Sequence, residues 1–210
     1  MQVSARPGVE AHRMSSIQPR ERALHPDLEC VLFGETEIAA AIGAIAAKIA
    51  ADYAGEDVLL LGILKGAVHV LSDLARALDG LRPGPTTVFL DLMAVSSYGN
   101  ASRSSGEVRL IQDSTHAVEG RHVIVVEDII DNGHTLAYLN ALLSARKPRS
   151  LRSAVLLDKP YRRTANVQAN YVGLTCPDEF IVGYGLDYQE RYRTLPYIAK
   201  LRPEVFSDPD

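Results

Sequence analysis

The chain is 210 residues long, 47% apolar and 23% charged, with a net charge of −4. That length and balance suit one soluble domain with a full core, and the acidic excess leaves no electrostatic footprint for nucleic acid or an anionic membrane. Two cysteines, Cys30 and Cys176, lack metal-site spacing and do not suggest a disulfide scaffold, so a reducing cytoplasm is the default.

Residues 1–26 read as a flexible tail. Its run MQVSARPGVEAHRMSSIQPRERA has no apolar h-region, and Met14 stands as an alternative start. No stretch approaches the roughly 18 apolar residues of a membrane span. Residues 27–210 read as one domain without internal repeat or linker. Within it, Ile38, Ile42, Ile45 and Ile49 recur at helical spacing across 36–53, which predicts an amphipathic helix. VLLLGI (58–63) is a continuous apolar run, as expected of a strand buried on both faces. Leu71, Leu74 and Leu78 mark a second helix closed by Gly80. TVFLDL (87–92) predicts another buried strand, SSYGNASRSSG (96–106) a mobile loop, and EVRLI (107–111) the loop's returning arm.

The stretch VIVVEDIIDNGHTL (123–136) carries the strongest signal. An apolar strand meets two adjacent acids, Glu127 and Asp128. A third, Asp131, comes three residues later beside Asn132 and Gly133, and a helix through Leu136, Leu139 and Leu143 follows at once. Strand, tight Gly turn and helix N-terminus form a cradle that holds phosphate on backbone N–H groups. Carboxylates repel phosphate, so these acids must serve other parts of the ligand, for which ribose hydroxyls and Mg²⁺ both qualify. SAVLLD (153–158) and FIVGYGL (180–186) complete the predicted strands. Strands alternating with helices predict an α/β fold with a mainly parallel sheet, whose ligands sit beyond the carboxyl ends of the strands. Lys65, Glu127 and Asp158 all lie at such ends.

With LGILKGAV (61–68), MAVSSYG (93–99), LLDKPYRR (156–163) and PDEFIVGYGLDYQERYRTLPYI (177–198), the stretch resembles the bacterial hypoxanthine-guanine phosphoribosyltransferases of the type I phosphoribosyltransferase family. The resemblance covers approximately residues 28–202. The stretch over 123–136 alone marks the binding motif for 5-phosphoribosyl-1-pyrophosphate (PRPP), while LLDKP and EFIVGYGLDY narrow the family. It implies a mainly parallel central sheet flanked by helices, a small hood formed by terminal segments, and a mobile flap loop.

By that resemblance Glu127 and Asp128 bind the ribose hydroxyls, partly through Mg²⁺. Asp131, Asn132, Gly133, His134 and Thr135 wrap the 5′-phosphate, and Asp131 turns toward N7 of the base. Asn132 and His134 stand where the family varies, Thr or Ser being common at the first. Lys65 and Gly66 hold pyrophosphate, often after a non-proline cis peptide. Lys159 donates to the purine 6-oxo group, Phe180 stacks on the ring, and the Val182 backbone reads the opposite edge. Asp187 is implied as ligand of a second Mg²⁺, with Arg193 reaching pyrophosphate. Ser97 and Tyr98 open the catalytic flap. Taken singly, each has an ordinary reading: solvated strand-end acids, an exposed Lys before a Gly turn, a core Phe, an Asp–Arg surface pair, a disordered hairpin tip.

The implied activity is purine salvage in the cytoplasm: transfer of phosphoribosyl from PRPP to N9 of hypoxanthine or guanine. The implied assembly is a homodimer or homotetramer with no nucleic-acid or membrane partner. One rival is a nucleotide-sensing regulator on the same fold, which needs a basic face, and the one basic cluster is ARKPRSLR (145–152). Another is a related enzyme acting on a different base, against which Lys159 and Phe180 argue.

Overall fold

The computed structural model describes residues 23–98 and 107–207. In chain order it contains β1 (Leu28–Phe33), α1 (Glu35–Asp52), β2 (Asp57–Leu64), α2 (Val68–Asp79), β3 (Thr87–Tyr98), β4 (Glu107–Gln112) and β5 (His122–Ile130). These are followed by α3 (His134–Ser144), β6 (Ser150–Asp158), a 3-10 turn at Pro160–Arg162, β7 (Tyr171–Thr175), β8 (Ile181–Val182), β9 (Ile198–Leu201) and α4 (Pro203–Phe206). The main sheet runs β4-β3-β2-β5-β6-β7, parallel throughout except for β4.

The continuous apolar runs follow from burial on both faces. Along β2, Val58 and Leu60 pack under α1 and α2 with Ile38, Ile45, Ile49 and Leu74. Leu59 and Leu61 pack on the other face against Leu136, Leu139 and Leu143 of α3. A period of two sends alternate residues to opposite layers, so no position from Val58 to Ile63 is left for a polar residue. No helix among the described residues is long and apolar enough to cross a membrane.

A second, antiparallel sheet of order β1-β9-β8 joins the two ends of the described chain. Its core is Leu28, Val182, Ala199 and Leu201, with Phe180 and Phe206 packed on it. This is the hood, and it corrects the placing of 180–186 as a strand of the parallel sheet. Only Ile181 and Val182 are extended there, because Gly183 and Gly185 take φ values of 104° and 103° and turn the chain. The sixth position of the main sheet belongs instead to β7, whose short segment YVGLT gave no distinct periodic signal.

Two boundaries also differ from expectation. β5 does not stop at the two acids but continues to Ile130, kept extended by pairing with β6 through Ile130 and Asp158. β3 runs to Tyr98, pairing with β4 as far as Glu107, so residues 96–98 are strand and not loop. β3 is also less buried than predicted, since Leu90 is 47% exposed.

Candidate active site

Glu127 and Asp128 sit near the end of β5. Glu127 is 8% exposed, and its Oε1 has no hydrogen-bond partner among the described residues. Burial, with the Asp128 charge added, pushes its carboxyl up to about 8. Burial raises Asp128 to about 6, opposed by the Ile129 N–H, which donates to Oδ1 at 2.9 Å, and by Arg193, and reinforced by Asp187. A folded-state pKa above the unfolded value means the folded chain binds more protons. Stability linked to Glu127 is therefore fully present below its ordinary value near 4.5 and lost as pH rises through about 8. In thermal melts of the unliganded protein from pH 5 to 9, Glu127→Gln should gain on wild type as pH rises. Parallel curves would remove the desolvated carboxylate from the account.

Residues 131–135 form the cradle. Asn132 Oδ1 accepts from His134 N at 3.0 Å, closing the turn. Gly133 caps α3 at φ 88°, a left-handed conformation that suits glycine. The first N–H groups of α3 lack intrahelical partners and face a cavity of about 270 Å³ lined by Val108 and by residues 127–136. The His134 ring is engaged elsewhere, with Nε2 3.1 Å from Thr164 Oγ1.

A brace behind this loop was not visible in the sequence. Arg163 Nη1 donates to the Asp131 carbonyl at 2.7 Å, and Nη2 pairs with Asp158 at the end of β6. Thr164 N and Ala165 N both donate to the Asn132 carbonyl at 3.0 Å. Asp131 itself keeps Oδ1 without a hydrogen bond, although Arg162 Nε lies 3.3 Å away as an ion-pair partner.

A second loop follows β2. The Leu64–Lys65 peptide is cis, as the resemblance implies. A Cβ on Gly66 would overlap the Asp128 carboxylate, and one on Gly185 would overlap the Gly66 carbonyl. Only glycines allow the β2 loop, the β5 acids and the 183–193 segment to meet this closely. Arg193 Nη1 donates to Gly185 O at 2.8 Å, and Nη2 lies 2.8 Å from Asp187 Oδ1 and 3.1 Å from Glu190 Oε1. Lys65 Nζ lies 2.6 Å from Glu190 Oε2.

The third part lies between β6 and the hood. Lys159 is 5% exposed, and Nζ donates to Glu179 O at 2.6 Å. An ammonium has three donors, so two remain for a ligand. Phe180 uses one face to stack on Phe206, with centroids 4.6 Å apart. Val182 is fully buried and pairs with Ala199. The backbones of Ser97 and Tyr98 close β3 opposite Val108 and Glu107. The rest of the expected flap, 99–106, lies outside the described residues. The structure thus gathers Lys65, Gly66, Glu127, Asp128, Asp187 and Arg193 in one cluster, with 131–135 adjoining on β5 and Lys159 adjoining through its N–H to Ile130 O at 3.0 Å.

Comparison with known proteins identifies the family of the chain. A family model described as the phosphoribosyl transferase domain matches residues 34–189. The hypoxanthine-guanine phosphoribosyltransferase of Bacillus subtilis is 46% identical over 180 residues, covering 86% of this chain and 97% of that protein. The bifunctional protein TilS/HprT of Listeria innocua is 46% identical over 89% of this chain, which spans only 28% of that longer protein. The hypoxanthine phosphoribosyltransferase of Trypanosoma cruzi in complex with the product IMP superposes with a TM-score of 0.80. It is 41% identical, over 88% of this chain and all of that one.

Proposed function

The chain belongs to the hypoxanthine-guanine phosphoribosyltransferase family, and on that premise we propose that it transfers phosphoribosyl from PRPP to N9 of hypoxanthine or guanine, giving IMP or GMP and pyrophosphate. The observation that carries this reading is the junction of three subsites around the end of β5. The cradle at 131–135 takes the 5′-phosphate, the Lys65, Gly66 and Arg193 group takes pyrophosphate, and Lys159 with Phe180 and the Val182 backbone takes the base.

In the reaction the C1–O bond to pyrophosphate breaks and a C1–N9 bond forms. Positive charge develops on the sugar and negative charge on the leaving group. Lys65 and Arg193 stabilise the latter, while Glu127 and Asp128 fix the ribose through its hydroxyls. Asp131 handles the proton at N7, and the flap opened by Ser97 and Tyr98 excludes water from the sugar cation.

Mg²⁺ suits the oxygen donors here. Glu127 Oε1 is buried without a partner, and no group of three or more His, Cys, Asp or Glu among the described residues forms a metal cage. Mg²⁺ commonly takes one or two carboxylates and completes its shell with waters and substrate phosphates. Glu127 and Asp128 would hold one ion and Asp187 a second, supplying charge neutralisation for the diphosphate. By the family resemblance the working form is a cytoplasmic homodimer or homotetramer, with 27–210 as the phosphoribosyltransferase domain.

The regulator reading loses its one basic cluster. Arg146 pairs with Asp113, Arg149 with Glu56 and Arg152 with Asp52, so that face offers a nucleic acid few free cations. Turnover with PRPP, Mg²⁺ and a panel of bases tests the proposal. Release of pyrophosphate with hypoxanthine and guanine supports it, and no turnover with any base, alongside nucleotide-dependent RNA or DNA binding, refutes it.

A further inference from the structure

Residues 188–191 form a two-residue hairpin turn. Tyr188 N donates to Arg191 O at 3.3 Å and Arg191 N to Tyr188 O at 3.0 Å. The central residues Gln189 and Glu190 take φ values of 51° and 63°. This is the primed turn that suits hairpin twist but favours Asn and Gly, since L side chains rarely adopt it. Such backbone persists where its surroundings over-determine it, and here they do. Asp187 Oδ2 accepts from Glu190 N at 2.8 Å. On the hood side, Asp27 Oδ2 accepts from Arg191 Nη2 at 3.0 Å and from the Tyr192 hydroxyl.

The turn aims the Glu190 carboxylate between two cations, with Oε2 on Lys65 Nζ and Oε1 on Arg193 Nη2 at the distances given above. Those are the cations assigned to pyrophosphate, so one carboxylate holds the pair that a diphosphate oxygen cluster would hold. We propose that Glu190 is an internal stand-in for pyrophosphate, a positioning residue that keeps Lys65 and Arg193 gathered in the free enzyme and is displaced when the diphosphate binds. The inference rests on the functional reading above and adds a cost to diphosphate binding and a push to its release.

Exposure supports an exchangeable contact. The Lys65 and Glu190 side chains are 67% and 63% exposed, and ion pairs in such settings are weak and screened by salt. The Arg193–Asp187 pair is only 21% and 27% exposed, so Arg193 stays anchored when Glu190 leaves. Bound diphosphate would then lie beside an unpaired carboxylate, and like charges repel.

Glu190→Gln keeps the shape and removes the charge. Calorimetric titration of the whole protein with pyrophosphate and Mg²⁺ should show about three- to tenfold tighter binding in the variant at low ionic strength, most of it lost at high salt. The KM for PRPP should fall with it while the KM for hypoxanthine holds. Glu190→Asp, which keeps the charge, should bind closer to wild type than Glu190→Gln does. Glu204→Gln, an exposed acid on α4, should change nothing. Equal or weaker pyrophosphate binding by Glu190→Gln overturns the proposal while leaving the functional reading intact. Absence of pyrophosphate binding in wild type and variant alike overturns the functional reading, and this proposal with it.

Discussion

Asp131→Asn should lower kcat by about 10²–10⁴-fold, the usual worth of general acid–base assistance, with a smaller change in the KM for PRPP. The structure separates the two roles proposed for this residue. Its carbonyl is pinned by Arg163 at 2.7 Å, so the phosphate loop keeps its course when the side chain changes. Its Oδ1 has no hydrogen bond among the described residues and only Arg162 as an ion-pair partner, so it can accept the proton proposed to pass to it from the base. An amide is nearly isosteric but cannot take that proton. The loss therefore falls on the chemical step and spares ground-state binding. Steady-state kinetics with varied PRPP and hypoxanthine measure it. Near-normal kcat would remove Asp131 from the mechanism, and a large rise in the KM for PRPP alone would make it a phosphate-loop residue only.

The second large effect concerns choice of base. Lys159 is a buried ammonium with one donor spent on Glu179 O. Its remaining donors match the 6-oxo acceptor of hypoxanthine and guanine. Adenine presents an amino group there, which leaves a desolvated cation facing another donor. An unmade hydrogen bond to a charged group costs on the order of 3 kcal/mol, roughly a hundredfold in kcat/KM. Wild type should reject adenine by at least that factor. Lys159→Ala should lose most activity on 6-oxopurines while narrowing the gap. Measuring kcat/KM for hypoxanthine, guanine and adenine on both proteins decides it, and equal use of adenine and hypoxanthine by wild type would show that Lys159 does not read the 6-position.

The legible parts of this molecule were those in which burial writes a pattern. The Ile38, Ile42, Ile45 and Ile49 stripe gave α1, and VLLLGI gave a strand covered on both faces, because periodicity records which side meets the core. The strand–turn–helix at 123–136 was legible because a Gly turn between strand and helix has a distinct composition. The hood was not. β8 is two residues long and pairs only with β9, while β9's other partner, β1, lies at the far end of the sequence and pairs with it only after folding. The brace from Arg163 was hidden for a similar reason. Its partners are a carbonyl 32 residues upstream and Asp158, and an Arg beside other cations carries no local signal of either. Glu190 was equally silent, since its meaning lies in Lys65, 125 residues away. The over-early end of β5 shows the converse error. Two acids look like a strand end, yet ladder pairing with β6 holds the strand extended past them, where burial pushes both carboxyls up.

The central claim is that one nucleotide spans the cradle, the acid pair and Lys159. A crystal structure of the protein with IMP tests it most directly. The account predicts the 5′-phosphate on the backbone N–H groups of 131–135 and the ribose hydroxyls against Glu127 and Asp128. It also predicts O6 within hydrogen-bond reach of Lys159 Nζ, with the purine against Phe180. IMP bound with its phosphate on Lys65 and Arg193 instead, or with its base away from Lys159, would contradict it.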